Sequence, residues 1–230
     1  EFMPEEVLPT YSSCAIEMYL HLIPGLSENF IYFNDDMILW NKCRSEDFFI
    51  GDKCVNSLHV FNSSAMLSVD AAKNGDKMYR YIDLNSTEFP YLVLGINLNT
   101  LYTTQHNPSA FIKSINNELY EKAKDIIKNR SYKFRCEDSL TQYMYIMYSV
   151  ICNKCINISN LKQGVIRWNN NTADPINKYV FSGIKQICVN DKVIDELNVD
   201  SVISFNNVIK ILNVKFDKKC KYENSVGCND

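Results

Sequence analysis

The strongest constraint on the fold is a short apolar run that ends abruptly in amide and acidic side chains. Residues 30–33 are aromatic and β-branched, which is typical of a buried strand, and Asn34, Asp35 and Asp36 follow directly. In α/β proteins ligands bind beyond the carboxyl ends of strands, and adjacent aspartates there supply the hard oxygen ligands that Mg²⁺ and Mn²⁺ prefer. The same residue types are common in turns, so the motif by itself leaves a plain polar turn open.

Composition and charge bound the class of protein. The length of 230 residues allows one large domain or two small ones, and 46% hydrophobic residues are enough for a sizeable core. Its net charge of -3 provides no basic surface, so we expect no nucleic-acid partner. No apolar run approaches the roughly 20 residues that span a bilayer, so we expect no transmembrane segment. The nine cysteines are interpreted mostly as small buried hydrophobic residues, and a disulfide framework stays open.

Hydrophobic periodicity predicts helices and strands in alternation, and the economical interpretation is one α/β domain with a mixed sheet flanked by helices. The predicted helices cover 12–23, a stretch that begins at 107–108 and reaches 126, a stretch that begins near 139 and reaches 151, and 200–212. The predicted strands cover 30–33, 58–61, 91–94 and 186–189, and loops are predicted at 41–56 and 153–179. The domain is expected to occupy 1–214, with a charged peripheral tail at 215–230.

Polar residues occur at the predicted ends of strands and starts of helices. Asn190 and Asp191 follow a predicted strand, as Asp36 does. His106 and Arg135 precede the two central helices, and helix N-termini favour anions. A histidine there can act as a general base, and an arginine can pair bidentately with phosphate. These are the parts of a metal-assisted phosphoryl transfer, although a turn histidine and a structural salt bridge stay open for these two residues.

Glu17 and His21 lie four residues apart in the first predicted helix and therefore on neighbouring faces. One interpretation is an acid–base pair. The alternative is an ordinary helix-surface contact that contributes a few tenths of a kcal/mol.

Residues 8–36 also resemble a known family. They contain, in order, the segments LPTYSS, AIE, His21, IPGLSE and YFNDD, which resemble the second conserved region of the Stealth family of sugar-1-phosphate transferases. Later segments resemble the rest of the family pattern, namely SEDFF, then HNP, KS and FR with Asp138 for the third region, and CVND for the fourth. The family's first region, with a YTWVDGSD-like end, has no counterpart here, and the opening EFMP reads as a family sequence entered part-way.

The resemblance implies a glycosyltransferase-A-like (GT-A-like) nucleotide-sugar transferase core, incomplete at its N-terminus. Such an enzyme moves a sugar-1-phosphate from a nucleotide-sugar, such as UDP-GlcNAc, to a hydroxyl of an oligosaccharide or polysaccharide acceptor. A phosphodiester forms and UMP leaves, in capsular or cell-surface polysaccharide synthesis.

The resemblance also implies roles for the polar residues. The expected ligands of Mg²⁺ or Mn²⁺ are carboxylates at strand ends with amide support, namely Asp35, Asp36 and Asp191 with Asn34 and Asn190. His106 is the candidate general base, and Arg135 is the candidate phosphate clamp. Glu17 and His21 are expected on the acceptor side.

Two other functions stay open at this point. A metal-dependent glycosyltransferase would use a similar acidic motif and release UDP, and an inactive carbohydrate-binding fragment would bind an acceptor without turnover. The expected location is the bacterial cytoplasm, with peripheral association at the inner membrane face left open. The cysteines and five N-x-S/T sequons leave the Golgi lumen of a eukaryote as the alternative.

Overall fold

The computed structural model describes residues 2–60, 77–97, 100, 102–104, 106–158, 163–167, 183–190 and 199–218. The α-helices within these ranges are α1 (Ser13–Glu17), α2 (Lys77–Leu94), α3 (Lys113–Asn129), α4 (Tyr143–Ile151) and α5 (Val199–Lys215). The strands are β1 (Asn29–Tyr32), β2 (Met37–Leu39), β3 (Phe49–Ile50), β4 (Lys53–Asn56), β5 (Leu58–Val60), β6 (Tyr102–Thr104), β7 (Ser109–Ile112), β8 (Cys155–Asn157), β9 (Gln163–Arg167) and β10 (Gln186–Asn190). Single turns of 3₁₀ helix occur at Glu5–Val7, Leu20–Leu22 and Ser45–Asp47.

These strands form four small sheets within the described ranges. β1 pairs with β7, and β5 pairs with β6, both antiparallel. β10 lies between antiparallel β2 and parallel β9. β4 lies between antiparallel β3 and parallel β8. The predicted mixed α/β fold is therefore confirmed, with several short sheets where one mixed sheet was expected.

Two asparagine side chains join strands that the backbone ladders leave separate. Asn56 Nδ2 donates to the carbonyl oxygen of Ala110 at 3.0 Å, and the Ala110 N–H donates to Asn56 Oδ1 at 3.1 Å, which links β4 to β7. Asn157 bridges β8 and β5 in the same way, through the N–H and carbonyl of Leu58 at 3.0 and 3.2 Å. A carboxamide presents an N–H donor and a carbonyl acceptor side by side, as backbone peptide groups do, so each side chain continues a ladder.

The largest core cluster surrounds α4. Five consecutive residues of this helix, from Met144 to Tyr148, are each 2% exposed or less. A helix that is apolar on every face is stable only when other elements surround it. Helices α2 and α3 contribute Phe89, Leu119 and Ile127 to the same cluster, and β7 contributes Phe111. β1 and β7, which flank the Asn34–Asp36 and His106 segments, pack against this core, whereas Ile187 of β10 belongs to a second cluster with Trp40 and Val208.

Three predicted strands and the last predicted helix are confirmed. The strands at 30–33, 58–61 and 186–189 correspond to β1, β5 and β10, and the helix at 200–212 corresponds to α5. Residue 61 lies outside the described residues.

The helix predicted at 12–23 is wrong in its length. It begins as expected, because Ser12 Oγ accepts a hydrogen bond from the N–H of Ala15 at 3.4 Å as an N-cap. It ends after five residues, and Tyr19 has non-helical angles of φ -112° and ψ 3°. The Tyr19 side chain is fully buried and hydrogen-bonds Ser131 Oγ at 2.7 Å, so a distant contact replaces the periodic helix.

In two other places the structure has a helix where a strand was predicted, or a strand where a helix was predicted. The strand predicted at 91–94 is wrong, because these residues form the last turn of α2, which continues through Pro90. A four-residue apolar run has no period that distinguishes the two structures. The helix predicted from 107–108 starts only at Lys113, because the four preceding residues are buried and pair with β1 as β7.

The helix predicted near Ser139 begins later, at the start of α4. Ser139 Oγ accepts a hydrogen bond from the N–H of Cys136 at 3.0 Å, which closes a turn, and Gln142 is the N-cap residue. The loops predicted at 41–56 and 153–179 are wrong in part, since they contain β3, β4, β8 and β9. These strands are only two to five residues long, which is too short for a clear sequence signal.

The domain boundary predicted at 214 stays a prediction, and α5 runs past it to Lys215. Within the described residues, none of the helices has the length and apolar character needed to cross a membrane.

Candidate active site

The Asn34–Asp36 segment forms a turn that joins two sheets. The N–H of Met37 donates to the carbonyl of Asn34 at 3.1 Å, which closes the turn between β1 and β2. The N–H of Val189 donates to the carbonyl of Asp36 at 2.8 Å, so Asp36 lies against the carboxyl end of β10. The two segments in which a strand precedes asparagine and aspartate are therefore neighbours in space, although more than 150 positions separate them.

Asp36 and His106 form the central pair of the site. His106 Nε2 lies 3.1 Å from Asp36 Oδ2, and the two side chains are 29% and 22% exposed. An ionised carboxylate only accepts hydrogen bonds, so the imidazole hydrogen faces it from Nε2. This arrangement leaves the lone pair on Nδ1, as in a histidine oriented for general-base chemistry.

His106 is not at a helix N-terminus, as the sequence predicted. It lies in the connection between β6 and β7, three residues before β7 begins. The loop is positioned because β7 is held by β1 on one side and by the Asn56 side chain of β4 on the other. The proximity of His106 to Asp36 therefore follows from strand pairing, and the helix-dipole argument does not apply to it.

Cys188 completes a cluster that the sequence did not predict. Its Sγ–H donates to Asp36 Oδ2 at 3.1 Å, and one ligand atom each of Asp36, His106 and Cys188 lie within 4.8 Å of one another. The other carboxylate oxygen, Asp36 Oδ1, is buried and has no hydrogen-bond partner among the described residues. A buried oxygen of this kind fits a bound cation, because burial of an unpaired polar atom is otherwise costly.

The structure gathers only part of the expected metal ligands. Asp35 is exposed beside Asp36, and it is not part of the three-residue cluster. β10 ends at Asn190, whose backbone lies near Asp36, whereas its side chain and the whole of Asp191 lie outside the described residues. The expected roles of Asp35, Asn190 and Asp191 stay predictions.

A line of polar contacts extends from this cluster into the core. Asn34 Nδ2 lies 3.4 Å from His106 Nε2, and the Tyr32 hydroxyl contacts Asn34 Oδ1. The same hydroxyl lies 3.0 Å from Glu17 Oε1. Burial, with the nearby Glu17 carboxyl adding to it, raises the pKa of Tyr32 well above its usual range, so the phenol stays a neutral donor.

Glu17 is a buried carboxyl with a perturbed pKa. Its side chain is 8% exposed, and burial raises its pKa to about 7, with the Tyr32 hydrogen bond opposing the effect. The carboxyl therefore exchanges its proton near neutral pH. Such groups concentrate at functional sites, which favours a site that includes Glu17.

Arg135 lies near Glu17 and contacts residues of α1 and α2. Its Nη2 donates to Ser13 Oγ at 2.7 Å, and its guanidinium carbon lies 4.8 Å from the centre of the Tyr79 ring. It is close enough to Glu17 for its charge to lower the pKa of that carboxyl. Because α4 begins eight residues after Arg135, the predicted placement at a helix N-terminus is wrong. Within the described residues, no hydrogen bond or ion pair joins it directly to His106 or Asp36.

His21 is not brought to the cluster. It is 1% exposed, and its ring centre lies 5.0 Å from that of Tyr120 and 5.2 Å from that of Tyr145. Neither ring nitrogen has a hydrogen-bond partner in the part of the chain that the structure describes. Burial lowers its pKa to about 4, so it is neutral at physiological pH. The predicted Glu17–His21 pair is not formed as a helix-surface contact, because α1 ends at Glu17 and the chain turns. A role for His21 on the acceptor side has no support from this burial.

Sequence reasoning missed Tyr32 and Cys188 as members of the site. Both belong to segments that resemble the family, YFNDD and CVND, but they were interpreted as strand and core residues. The available signal was their spacing: Tyr32 lies two residues before Asn34, and Cys188 two residues before Asn190. Alternation in a predicted strand places residues two apart on one face, so the sequence pattern groups each with the polar residue that follows it.

Comparison with known proteins agrees with the resemblance noted in the sequence. Residues 1–66 match the family model for Stealth protein CR2, conserved region 2. The capsular polysaccharide phosphotransferase SacB of Neisseria meningitidis serogroup A is 29% identical over 244 residues, which cover 97% of this chain and 41% of SacB. The chain thus spans about two-fifths of the length of that relative.

Two further relatives have related names. The exopolysaccharide phosphotransferase cps2G of Lactiplantibacillus plantarum is 29% identical over 250 residues, which cover 94% of this chain and 68% of the relative. The capsular polysaccharide phosphotransferase eps5J of Streptococcus thermophilus is 53% identical over 53 residues, which cover 23% of this chain and 22% of the relative. The resemblance predicted from the sequence is confirmed: the chain carries the second conserved region of the Stealth proteins and is similar over nearly its whole length to capsular and exopolysaccharide phosphotransferases.

Proposed function

We propose that the chain transfers a sugar-1-phosphate from a nucleotide-sugar, such as UDP-GlcNAc, to a hydroxyl group of an acceptor glycan. The products are a sugar–phosphate–sugar diester and UMP, and the pathway is capsular or cell-surface polysaccharide synthesis. The observation that carries the proposal is the 3.1 Å hydrogen bond between His106 and Asp36, with Asp36 in the segment that matches the Stealth proteins. A histidine oriented by a carboxylate is suited to take a proton from an attacking hydroxyl.

In the proposed reaction, His106 Nδ1 accepts the proton of the acceptor hydroxyl. The acceptor oxygen bonds to the phosphorus next to the donor sugar, and the bond from that phosphorus to the bridging oxygen breaks with UMP as the leaving group. Asp36 holds the imidazole in position and stabilises its charged form after the proton has moved. Phosphoryl transfer of this kind depends on positioning and charge neutralisation more than on a covalent intermediate.

Arg135 is proposed as the clamp for the transferred phosphate. Its hydrogen bond to Ser13 and its contact with Cys14 leave further guanidinium N–H groups for bidentate pairing with phosphate oxygens. Glu17 lies between Arg135 and the Tyr32–Asn34 chain, and we place it on the acceptor side of the site.

A divalent cation is part of the proposal. Mg²⁺ or Mn²⁺ would neutralise phosphate charge when bound, and the buried, unpartnered oxygen Asp36 Oδ1 supports such a site. The proposed metal ligands are carboxylates supported by amides, namely Asp35, Asp36 and Asp191 with Asn34 and Asn190.

A GT-A-like core is the finer fold proposal. The support is the mixed sheet β2–β10–β9, whose parallel pair ends at Asn190 beside Asp36. Ligands of α/β proteins bind at such carboxyl ends of parallel strands.

The test is the identity of the released nucleotide. The purified chain is incubated with UDP-GlcNAc, Mg²⁺ or Mn²⁺ and a pool of oligosaccharides, and UMP is separated from UDP by chromatography. We expect metal-dependent UMP release that is lost in Asp36→Ala. Asp52→Ala is the matched control, since Asp52 is an exposed aspartate that pairs with Lys154.

Each alternative has its own result. UDP release would replace the proposal with a glycosyltransferase. Acceptor binding with neither nucleotide released, for every donor tested, would favour an inactive carbohydrate-binding protein. UMP release that is unchanged in Asp36→Ala would place the chemistry elsewhere in the chain.

A further inference from the structure

Three side chains of the Asp36 cluster place three different types of ligand atom close together. Asp36 Oδ2 is a hard oxygen, His106 Nε2 is a borderline nitrogen, and Cys188 Sγ is a soft sulfur, all within 4.8 Å of one another. Zn²⁺ binds sulfur at about 2.3 Å and nitrogen or oxygen at about 2.0–2.2 Å. A tetrahedron with these bond lengths separates its ligand atoms by roughly 3.4–3.6 Å. The two observed separations of 3.1 Å therefore need a change of only a few tenths of an ångström.

We propose that Asp36, His106 and Cys188 form a three-ligand site for a cation of the Zn²⁺ class. Three protein ligands and one open position are the arrangement of zinc sites that exchange ligands with solvent. Thiolate and imidazole favour Zn²⁺ or Co²⁺ over Mg²⁺, which prefers oxygen ligands in an octahedron. The site thus accepts a second class of cation, different from the Mg²⁺ or Mn²⁺ of the proposed function.

Two of the three ligands are fixed by strand hydrogen bonds, and His106 lies three residues before β7. Cys188 is 0% exposed and pairs with Met37 across β10 and β2, while Asp36 is fixed by its backbone hydrogen bond to Val189. The partial exposure of Asp36 and His106 gives a cation access from solvent. Ligands whose backbone is already fixed, as for Cys188 and Asp36, lose little conformational entropy when a metal binds.

Cation binding replaces the two hydrogen bonds to Asp36 Oδ2. The Cys188 thiol loses its proton to solvent as the sulfur–metal bond forms, so one proton is released for each cation bound. His106 stays neutral, but its hydrogen moves from Nε2 to Nδ1, because Nε2 must present its lone pair to the metal. Asp36 remains ionised and exchanges hydrogen-bond donors for the cation.

Zn²⁺ binding would also change the role of His106 in catalysis, a consequence that rests on the proposed function. In the Zn²⁺-bound form, His106 Nδ1 carries a hydrogen and cannot accept the proton of an acceptor hydroxyl. Zn²⁺ is therefore expected to inhibit sugar-phosphate transfer, because the cation and the His106–Asp36 hydrogen bond compete for the same two atoms.

Cobalt provides a readout that needs no substrate. Co²⁺ is titrated into the purified, reduced protein, and the sulfur-to-cobalt charge-transfer absorption is recorded for wild type, Cys188→Ser, His106→Gln and Cys54→Ser. Cys54 is the matched control because it is a buried cysteine that contacts Cys155 and is not part of the Asp36–His106–Cys188 cluster. Circular dichroism confirms that each variant is folded, and His106→Gln replaces a partly exposed side chain if Cys188→Ser does not fold.

We expect the absorption in wild type and Cys54→Ser, and its loss in Cys188→Ser. His106→Gln should weaken Co²⁺ binding by at least about 100-fold, since losing a direct ligand costs more than losing an outer-shell partner. Zn²⁺ should displace Co²⁺, and a large excess of Mg²⁺ should not. Absorption that persists in Cys188→Ser, equal affinity in His106→Gln, or displacement by Mg²⁺ would each overturn the inference.

Metal binding and catalysis are scored separately. Failure of UMP release would leave the Co²⁺ titration unaffected, and failure of the titration would leave UMP release unaffected. Where both are observed, Zn²⁺ should inhibit UMP release more strongly in wild type than in Cys188→Ser.

Discussion

The buried carboxyl of Glu17 gives a quantitative prediction about stability and pH. Glu17→Gln keeps the size of the side chain and an oxygen that can accept the Tyr32 hydrogen bond, but it removes the charge. Burial raises the pKa of Glu17 from 4.5 to about 7, so the folded state binds more protons than the unfolded state between these pH values. The contribution of Glu17 to the free energy of unfolding therefore falls as pH rises through this range.

The size of the effect follows from the two pKa values. At about 1.4 kcal/mol per pKa unit, the difference between 4.5 and about 7 corresponds to about 3 kcal/mol. Above pH 7 the wild type carries this full cost, whereas Glu17→Gln does not. The variant is expected to be up to about 3 kcal/mol more stable than wild type at alkaline pH and similar to it below about pH 4.5.

His21 gives the opposite dependence. Burial lowers its pKa from 6.5 to about 4, so its contribution is complete above 6.5 and is lost as pH falls towards 4. The ranges of Glu17 and His21 overlap, and their slopes have opposite signs and similar size. The combined contribution of these two residues should be nearly independent of pH, and Glu17→Gln should uncover the loss of about 3 kcal/mol on acidification that His21 causes.

Urea unfolding at several pH values between about 4 and about 8 tests this prediction, with variants compared at each pH so that contributions from other groups cancel. Glu118→Gln is the control, because Glu118 also accepts a tyrosine hydroxyl, from Tyr148 at 2.7 Å, but is 50% exposed. A Glu17→Gln curve parallel to wild type over the whole range would refute the reasoning.

Three other predictions concern the bridge between β4 and β7 and the proposed catalytic residues. Asn56→Ala leaves the buried N–H and carbonyl of Ala110 unpaired, so urea unfolding should show a free energy of unfolding lower by about 2–6 kcal/mol. The control is Asn157→Ala, which removes an exposed bridge and should lower it by less than about 1.5 kcal/mol. Arg135→Lys keeps the charge but loses the planar fork, and kinetics of UMP release should fall by about 10-fold or more, whereas unchanged kinetics would remove Arg135 as the clamp. Asp36→Asn keeps an oxygen towards His106 but removes the charge that stabilises the imidazolium, so the rate of UMP release should fall by about 100-fold at saturating metal. A fall of less than about 3-fold would exclude Asp36 as the group that stabilises the charged imidazole.

Local patterns were sufficient where one element carries its own signal. The strand that ends in Asn34–Asp36 was predictable because its apolar residues stop abruptly at polar ones, and the helix 200–212 because its period is sustained over three turns. The N-cap at Ser12 was predictable because a hydroxyl that caps a helix acts on residues two or three positions away. Each of these signals involves neighbours in the chain.

Predictions failed where distant residues decide the structure. Residues 109–112 belong to a helical stripe in sequence, yet they form a strand because β1 and Asn56 offer hydrogen-bond partners. The helix from Ser12 stops at Glu17, while the buried Tyr19 that follows contacts Ser131, more than 100 positions away. Short strands such as β3 and β8 exist only because β4 lies between them.

The sequence by itself determined the candidate residues and the family resemblance, since both depend on residue type and order along the chain. It indicated Asp36, His106 and Arg135 from separate segments. Only the tertiary structure decided which of them meet: Asp36 contacts His106 and Cys188, Arg135 is connected to them through Glu17, and His21 is withdrawn into the core. The physical reason is that these contacts join segments 70 to about 150 positions apart, which strand pairing brings together and which no local pattern encodes.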